Sequence, residues 1–143
     1  MRTTGRLALV SLLFLVACGG GGDGPPPLGE AGDPANADRT IEVSADEFRF
    51  SLDEIEVDRD ETIEFVVGND GQTAHEFSIG GGHEDSGGHD HVHGPASGST
   101  GAIPPGETTS LVWHFTEAGE TVFACYIENH DKQGMTGTLT VGE

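Results

Sequence analysis

The 143-residue chain predicts an all-β protein, a two-sheet β-sandwich of seven or eight short strands. Three observations predict it. From Thr40 onward apolar residues alternate with polar ones in short runs, which is the period of half-buried strands. The breaks between runs carry turn residues, as in Asp58-Arg59-Asp60-Glu61, Gly68-Asn69-Asp70-Gly71 and Pro104-Pro105-Gly106-Glu107. No stretch shows a 3.6-residue apolar stripe of helical length.

The N-terminal segment lies outside that pattern. Arg2 and Arg6 followed by the apolar run Leu7 to Ala17 have the build of a secretory signal peptide, 1–17. The run is too short to span a bilayer, which takes about 20 residues. Its end, Leu15-Val16-Ala17-Cys18, resembles the lipobox of bacterial lipoproteins. That resemblance implies lipidation of Cys18 and an extracytoplasmic protein anchored to a bacterial membrane, at the outer membrane or on the periplasmic or cell-surface side. Gly19 in place of Asp resembles lipoproteins not held at an inner membrane. Residues 18–38 are Gly, Pro, Ala and Asp with almost no large apolar side chain, and they read as a flexible tether. Gly19 to Gly24 formally match G-x-G-x-x-G, but no strand precedes them and no helix follows, so a nucleotide site is excluded.

The folded domain is expected over 39–143. Its strand runs centre on Ile41 and Val43, on Phe48, Phe50 and Leu52, on Ile55 and Val57, and on Ile63, Phe65 and Val67. Later strands are expected at Glu76 to Ile79, Thr108 to Phe115, Thr121 to Tyr126 and Thr136 to Val141. Between them, 80–101 is an insertion rich in Gly, Ser and His with no strand pattern. It exceeds the roughly 12–15 residues at which structureless loops become uncommon.

The formal charge is −19, and removal of the leader takes two arginines and no acid, so the mature chain is more acidic still. This excludes nucleic acid as a partner and favours a basic docking surface or a metal cation. There are two cysteines. If Cys18 carries lipid, Cys125 has no partner for a disulfide, and a lone thiol in an oxidising compartment points to metal ligation.

Cys125-Tyr126-Ile127-Glu128-Asn129-His130-Asp131-Lys132-Gln133-Gly134-Met135 places a thiolate, an imidazole and a thioether in one strand-to-strand loop. His75 heads an earlier strand. Two imidazoles and a thiolate with a weak axial Met are the ligand set of blue copper sites, soft enough for Cu(I) and acceptable to Cu(II).

Cys125-x4-His130-x4-Met135, with Asn69-x5-His75 upstream, resembles the cupredoxin family of plastocyanin, azurin, rusticyanin and auracyanin. The loop spacing is nearest to the longer-loop members, rusticyanin and auracyanin. Further matching features are Phe123-Ala124-Cys125, Gly134-Met135-x-Gly137 and Pro105-Gly106-Glu107-Thr108. The resemblance implies a Greek-key sandwich and one type 1 copper held by His75, Cys125, His130 and Met135. There are two departures: Glu76 stands where azurin and plastocyanin carry Asn, and the insertion follows Ile79.

Within the insertion, His83, His89, His91 and His93 with Glu84, Asp85 and Asp90 form a possible second site for Cu(II), Zn(II) or Ni(II), or equally a solvated low-complexity loop. His114 is not expected to be a ligand, Trp113 reads as a packing residue, and Tyr126, next to Cys125, reads as packing or as part of an electron path, with packing favoured. The first functional expectation is a monomeric one-electron carrier, exchanging electrons through an exposed edge of His130 and docking a basic patch on a redox protein partner. The alternative is copper sequestration or delivery for copper tolerance. No enzyme is expected: four protein ligands fill the coordination sphere, and the chain has no G-x-S-x-G and no H-E-x-x-H.

Overall fold

The computed structural model describes residues 24–81 and 98–143. Among them are nine strands: β1 Gly29–Ala31, β2 Arg39–Asp46, β3 Arg49–Phe50, β4 Glu54–Asp58, β5 Thr62–Asn69, β6 Ser78–Ile79, β7 Thr108–Phe115, β8 Gly119–Ala124 and β9 Thr136–Gly142. They form a five-stranded sheet, β1-β7-β5-β2-β3, and a four-stranded sheet, β4-β9-β8-β6. Two pairs are parallel, β2 with β5 and β4 with β9, and the rest are antiparallel. Parallel neighbours cannot be joined by a tight hairpin, so the chain crosses repeatedly between sheets, as a two-sheet sandwich of the expected class requires.

The core follows from period two. In β5, Ile63, Phe65 and Val67 point inward and are fully buried, and in β7 Leu111, Trp113 and Phe115 do the same. Phe77 lies at the centre, with ring centroids 5.1 Å from Phe65, 5.3 Å from Phe123 and 5.6 Å from Phe50. Each buried ring stabilises the fold by about 1.5–3 kcal/mol relative to exposure.

Eight of the nine strands fall on the expected runs; the ninth, β1, corrects the tether assigned to 18–38. From Gly24 onward this segment is built into the domain. β1 pairs with β7, Leu28 is buried, and the Pro27 carbonyl accepts from Trp113 Nε1 at 3.1 Å. The Pro26 carbonyl accepts from Thr121 Oγ1 at 2.7 Å. Composition misleads here because proline, though it lacks a donor, keeps a carbonyl, and a single leucine fills the core gap. The signal peptide and Cys18 lie outside the described residues.

The insertion is also narrower than 80–101. The Ile79 amide donates to the Gly98 carbonyl at 2.8 Å, Phe77 N–H to Thr100 Oγ1 at 3.0 Å, and Gly81 N–H to the Pro25 carbonyl at 2.7 Å. His83, His89, His91 and His93 lie outside the described residues. Among the described residues no helix is long and apolar enough to cross a membrane.

Candidate metal centre

The site is assembled where strands end. Asn69 closes β5, Cys125 follows β8, β9 begins after Met135, and the β2–β3 turn supplies Glu47 and Phe48. All of these termini fall at one pole of the sandwich.

His75 is set by the turn that follows β5. Asn69 is buried, and its Nδ2 donates to the carbonyls of Thr73 at 2.7 Å and Ile103 at 2.8 Å, while its Oδ1 accepts from Gly71 N–H at 2.9 Å. Those bonds shape the turn, and His75 then exchanges both backbone hydrogen bonds with Ile103, at 3.2 and 2.6 Å. The imidazole is delivered fully buried.

The opposite wall is the loop from Cys125 to Met135. Its ends are tied by the Cys125 N–H, which donates to the Met135 carbonyl at 3.1 Å. Met135 N–H donates to the His130 carbonyl at 3.1 Å, and Asp131 N–H to that of Cys125 at 2.8 Å. The loop holds two short 3-10 turns, Ile127–Asn129 and Asp131–Gln133; left-handed Glu128 (φ 48°) and Asn129 (φ 60°) kink the first, and left-handed Gly134 (φ 103°) ends the second. Met135 is fully buried.

His75, Cys125 and His130 each offer a donor atom, and the three atoms lie within 4.8 Å of one another. The Cys125 Sγ is 3.4 Å from His130 Nδ1 and accepts from Glu76 N–H at 3.4 Å. The two imidazole centroids are 5.1 Å apart. Neither nitrogen of His75 has a hydrogen-bond partner among the described residues, although Nε2 lies 3.4 Å from Glu47 Oε1. A buried imidazole without partners is costly, and a metal ion at the centre of this cluster removes that cost. The donor set therefore fits a soft, redox-active ion.

Burial dominates the site's proton chemistry. It pushes the Cys125 thiol up to about 11, against the pull of the Glu76 and Ile127 backbone amides. It also lowers His130, with the neighbouring His75 adding to the effect. Metal uptake must expel the thiol proton, while His130 presents a neutral nitrogen without such a step. Glu47 is held down at about 2, chiefly by the Gln72 and Thr73 backbone amides.

Glu76 is buried, and its Oε1 accepts from Tyr126 N–H at 3.0 Å and its Oε2 from the Ser99 hydroxyl at 3.3 Å. Its side chain thus braces the residue after Cys125, while its backbone serves the sulfur. Tyr126 donates its hydroxyl to the Gly80 carbonyl at 2.7 Å. His114 is on β7, its Nδ1 3.0 Å from Thr62 Oγ1, and is not part of the metal-competent cluster.

The expected exposed edge of His130 is corrected: the residue is 2% exposed, with the Phe48 ring 4.6 Å from its own. Phe48 and Glu47 were missed as site residues. Phe48 reads as one apolar member of a strand run, and Glu47 as a turn acid. Only the long-range placement of the β2–β3 turn brings them to the histidines.

A family model for the cupredoxin-like domain matches residues 7–141. The chain belongs to the cupredoxin family. It is 36% identical over 127 residues to the copper-resistant cuproprotein CopI of Rubrivivax gelatinosus, covering 83% of this chain and 76% of that protein. Among solved structures, the dithionite-reduced auracyanin of Roseiflexus castenholzii superposes with a TM-score of 0.62 at 24% identity, over 75% of this chain and 99% of that one. The blue copper oxidase of Nitrosomonas europaea superposes with a TM-score of 0.53 at 19% identity, over 73% of this chain but 38% of that one. These two structures speak to the fold, and the second shares one part of a larger molecule. Copper is accordingly the ion of this cupredoxin, and His75, Cys125 and His130 are the group that can hold it.

Proposed function

We propose that this cupredoxin binds one copper ion outside the cytoplasm in the service of copper tolerance. The observation that carries the reading is the convergence of His75, Cys125 and His130 within 4.8 Å at 2% exposure or less, a site that excludes water and competing ligands. The similarity to a protein described as a copper-resistant cuproprotein supports the direction. This reverses the order of the two functional expectations drawn from the sequence.

In this reading His75, Cys125, His130 and Met135 would hold the copper, two imidazoles, a thiolate and a thioether that together suit both Cu(I) and Cu(II). Bound there, copper supplies one-electron exchange between Cu(I) and Cu(II). Cys125 would ligate as the thiolate, which the Glu76 amide, 3.4 Å from Sγ, would stabilise. Phe48 covers His130. The protein binds and holds rather than catalyses. Its lipid anchor at Cys18 would keep it on the membrane it protects.

A second reading, one-electron transfer, is favoured by Met135, which is fully buried and tied through its backbone to both Cys125 and His130. Its acidic surface would meet a redox partner through a basic patch. A copper-sensitive bacterium carrying the full chain tests both. Cys125→Ser should abolish the protection given by the wild type, and deletion of 82–94 should reduce it while leaving electron-exchange rates unchanged. Protection by Cys125→Ser equal to wild type would remove the proposal.

A further inference from the structure

We infer that Glu47 is the positioning residue of His75, an outer carboxylate that holds the imidazole in the tautomer that leaves Nδ1 for copper. This rests on the copper reading of the site. Three observations carry it. Glu47 Oε1 lies 3.4 Å from Nε2 of an imidazole that is fully buried and has no hydrogen-bond partner among the described residues. The carboxylate is itself fixed: Oε1 accepts from the amides of Gln72 at 2.6 Å and Thr73 at 3.0 Å and from the Thr73 hydroxyl at 3.3 Å. The space between the two groups is kept clear by Gly71, where an added Cβ would sit 2.5 Å from Glu47 Oε1 and 2.9 Å from His75 Nε2.

Because Nε2 faces Glu47 and Gly71, Nδ1 is the nitrogen left for the metal. An Nε2–H donating to a carboxylate raises the basicity of the coordinating nitrogen, and outer partners of this kind are worth about 10–100-fold in metal affinity. A fixed negative charge also favours the doubly charged ion over the singly charged one. Glu47 should therefore lower the reduction potential and tighten Cu(II) retention.

The test uses the copper-loaded domain with its potential, visible spectrum and the His75 Nε2–H resonance in the diamagnetic Cu(I) form. Glu47→Gln keeps an amide oxygen for the Gln72 and Thr73 amides but removes the charge. It should retain the thiolate-to-copper band and weaken Cu(II) relative to Cu(I) about tenfold, raising the potential by about 59 mV for this one-electron couple. Gly71→Ala, which displaces the carboxylate without neutralising it, should shift the potential in the same direction by less. Glu47→Gln with a lowered Tm but an unmoved potential would show a turn clamp only, and overturn the inference. Should that variant not fold, the wild-type resonance decides: a slowly exchanging, hydrogen-bonded Nε2–H supports the assignment, and a freely exchanging one overturns it. A wild type with no thiolate-to-copper band would instead defeat the copper reading beneath it.

Discussion

The two histidines beside Cys125 are held by opposite means. His75 is delivered by a polar turn: Asn69 bonds three backbone groups around it, Ile103 locks its own backbone, and a carboxylate sits against its far nitrogen. His130 is carried by a loop with left-handed residues, and its ring is covered by the apolar face of Phe48. One wall is tuned by charge and hydrogen bonds, the other by exclusion of water. Substitutions on the two walls should consequently report on different properties.

The largest effect is expected on the polar wall. Asn69→Ala removes the partner of the part-buried Thr73 carbonyl and Gly71 amide, while the Ile103 carbonyl keeps its bond from His75 N–H; a buried group left unsatisfied costs about 1–3 kcal/mol. Urea unfolding of the metal-free domain should lose about 2–3 kcal/mol, and copper binding should weaken because the turn no longer presents His75. An unchanged midpoint would mean that Ile103 alone suffices.

On the apolar wall, Phe48→Ala should lower stability by about 1–2 kcal/mol, since Phe48 is only partly buried. It should admit solvent to the His130 edge and speed electron exchange with a small soluble redox reagent. A slower or equal rate would show that Phe48 is not the cover. Met135→Leu should keep the colour and raise the potential, because a weakly donating thioether is replaced by a hydrocarbon that cannot donate; a shift to lower potential would argue against Met135 as a ligand.

The smallest effect lies away from both walls. Arg39 Nε donates to Glu61 Oε1 at 2.6 Å, and this guanidinium holds the Glu61 carboxyl below its usual range. A depressed carboxylate contributes stability at pH values above its unfolded range near 4.3, and the contribution is lost as pH falls through the folded value. Glu61→Gln should cost no more than about 1 kcal/mol at pH 7 and flatten the acid limb of the stability profile. Its copper spectrum should match the wild type.

The same contrast explains what could be read from the chain. Strands such as β5 and β7 were legible because alternation and turn residues are local signals, and the Cys125-x4-His130-x4-Met135 spacing is equally local. Asn69 and His75 were legible as a turn leading into a strand. β1 was not, because its stabilisation comes from Leu28 in the core and from Trp113 and Thr121 donating to proline carbonyls remote in sequence. Glu47 and Phe48 were not, because nothing in a short β2–β3 turn announces which loop it will meet.

The central claim is that His75, Cys125 and His130 cage one copper through a thiolate. It is tested most directly by adding one equivalent of Cu(II) to the soluble domain lacking 82–97 and recording its visible and electron paramagnetic resonance spectra beside those of Cys125→Ser. An intense thiolate-to-copper band with narrow copper hyperfine splitting, absent from Cys125→Ser, is the predicted result. A pale, wide-splitting spectrum that is the same in both proteins would contradict it.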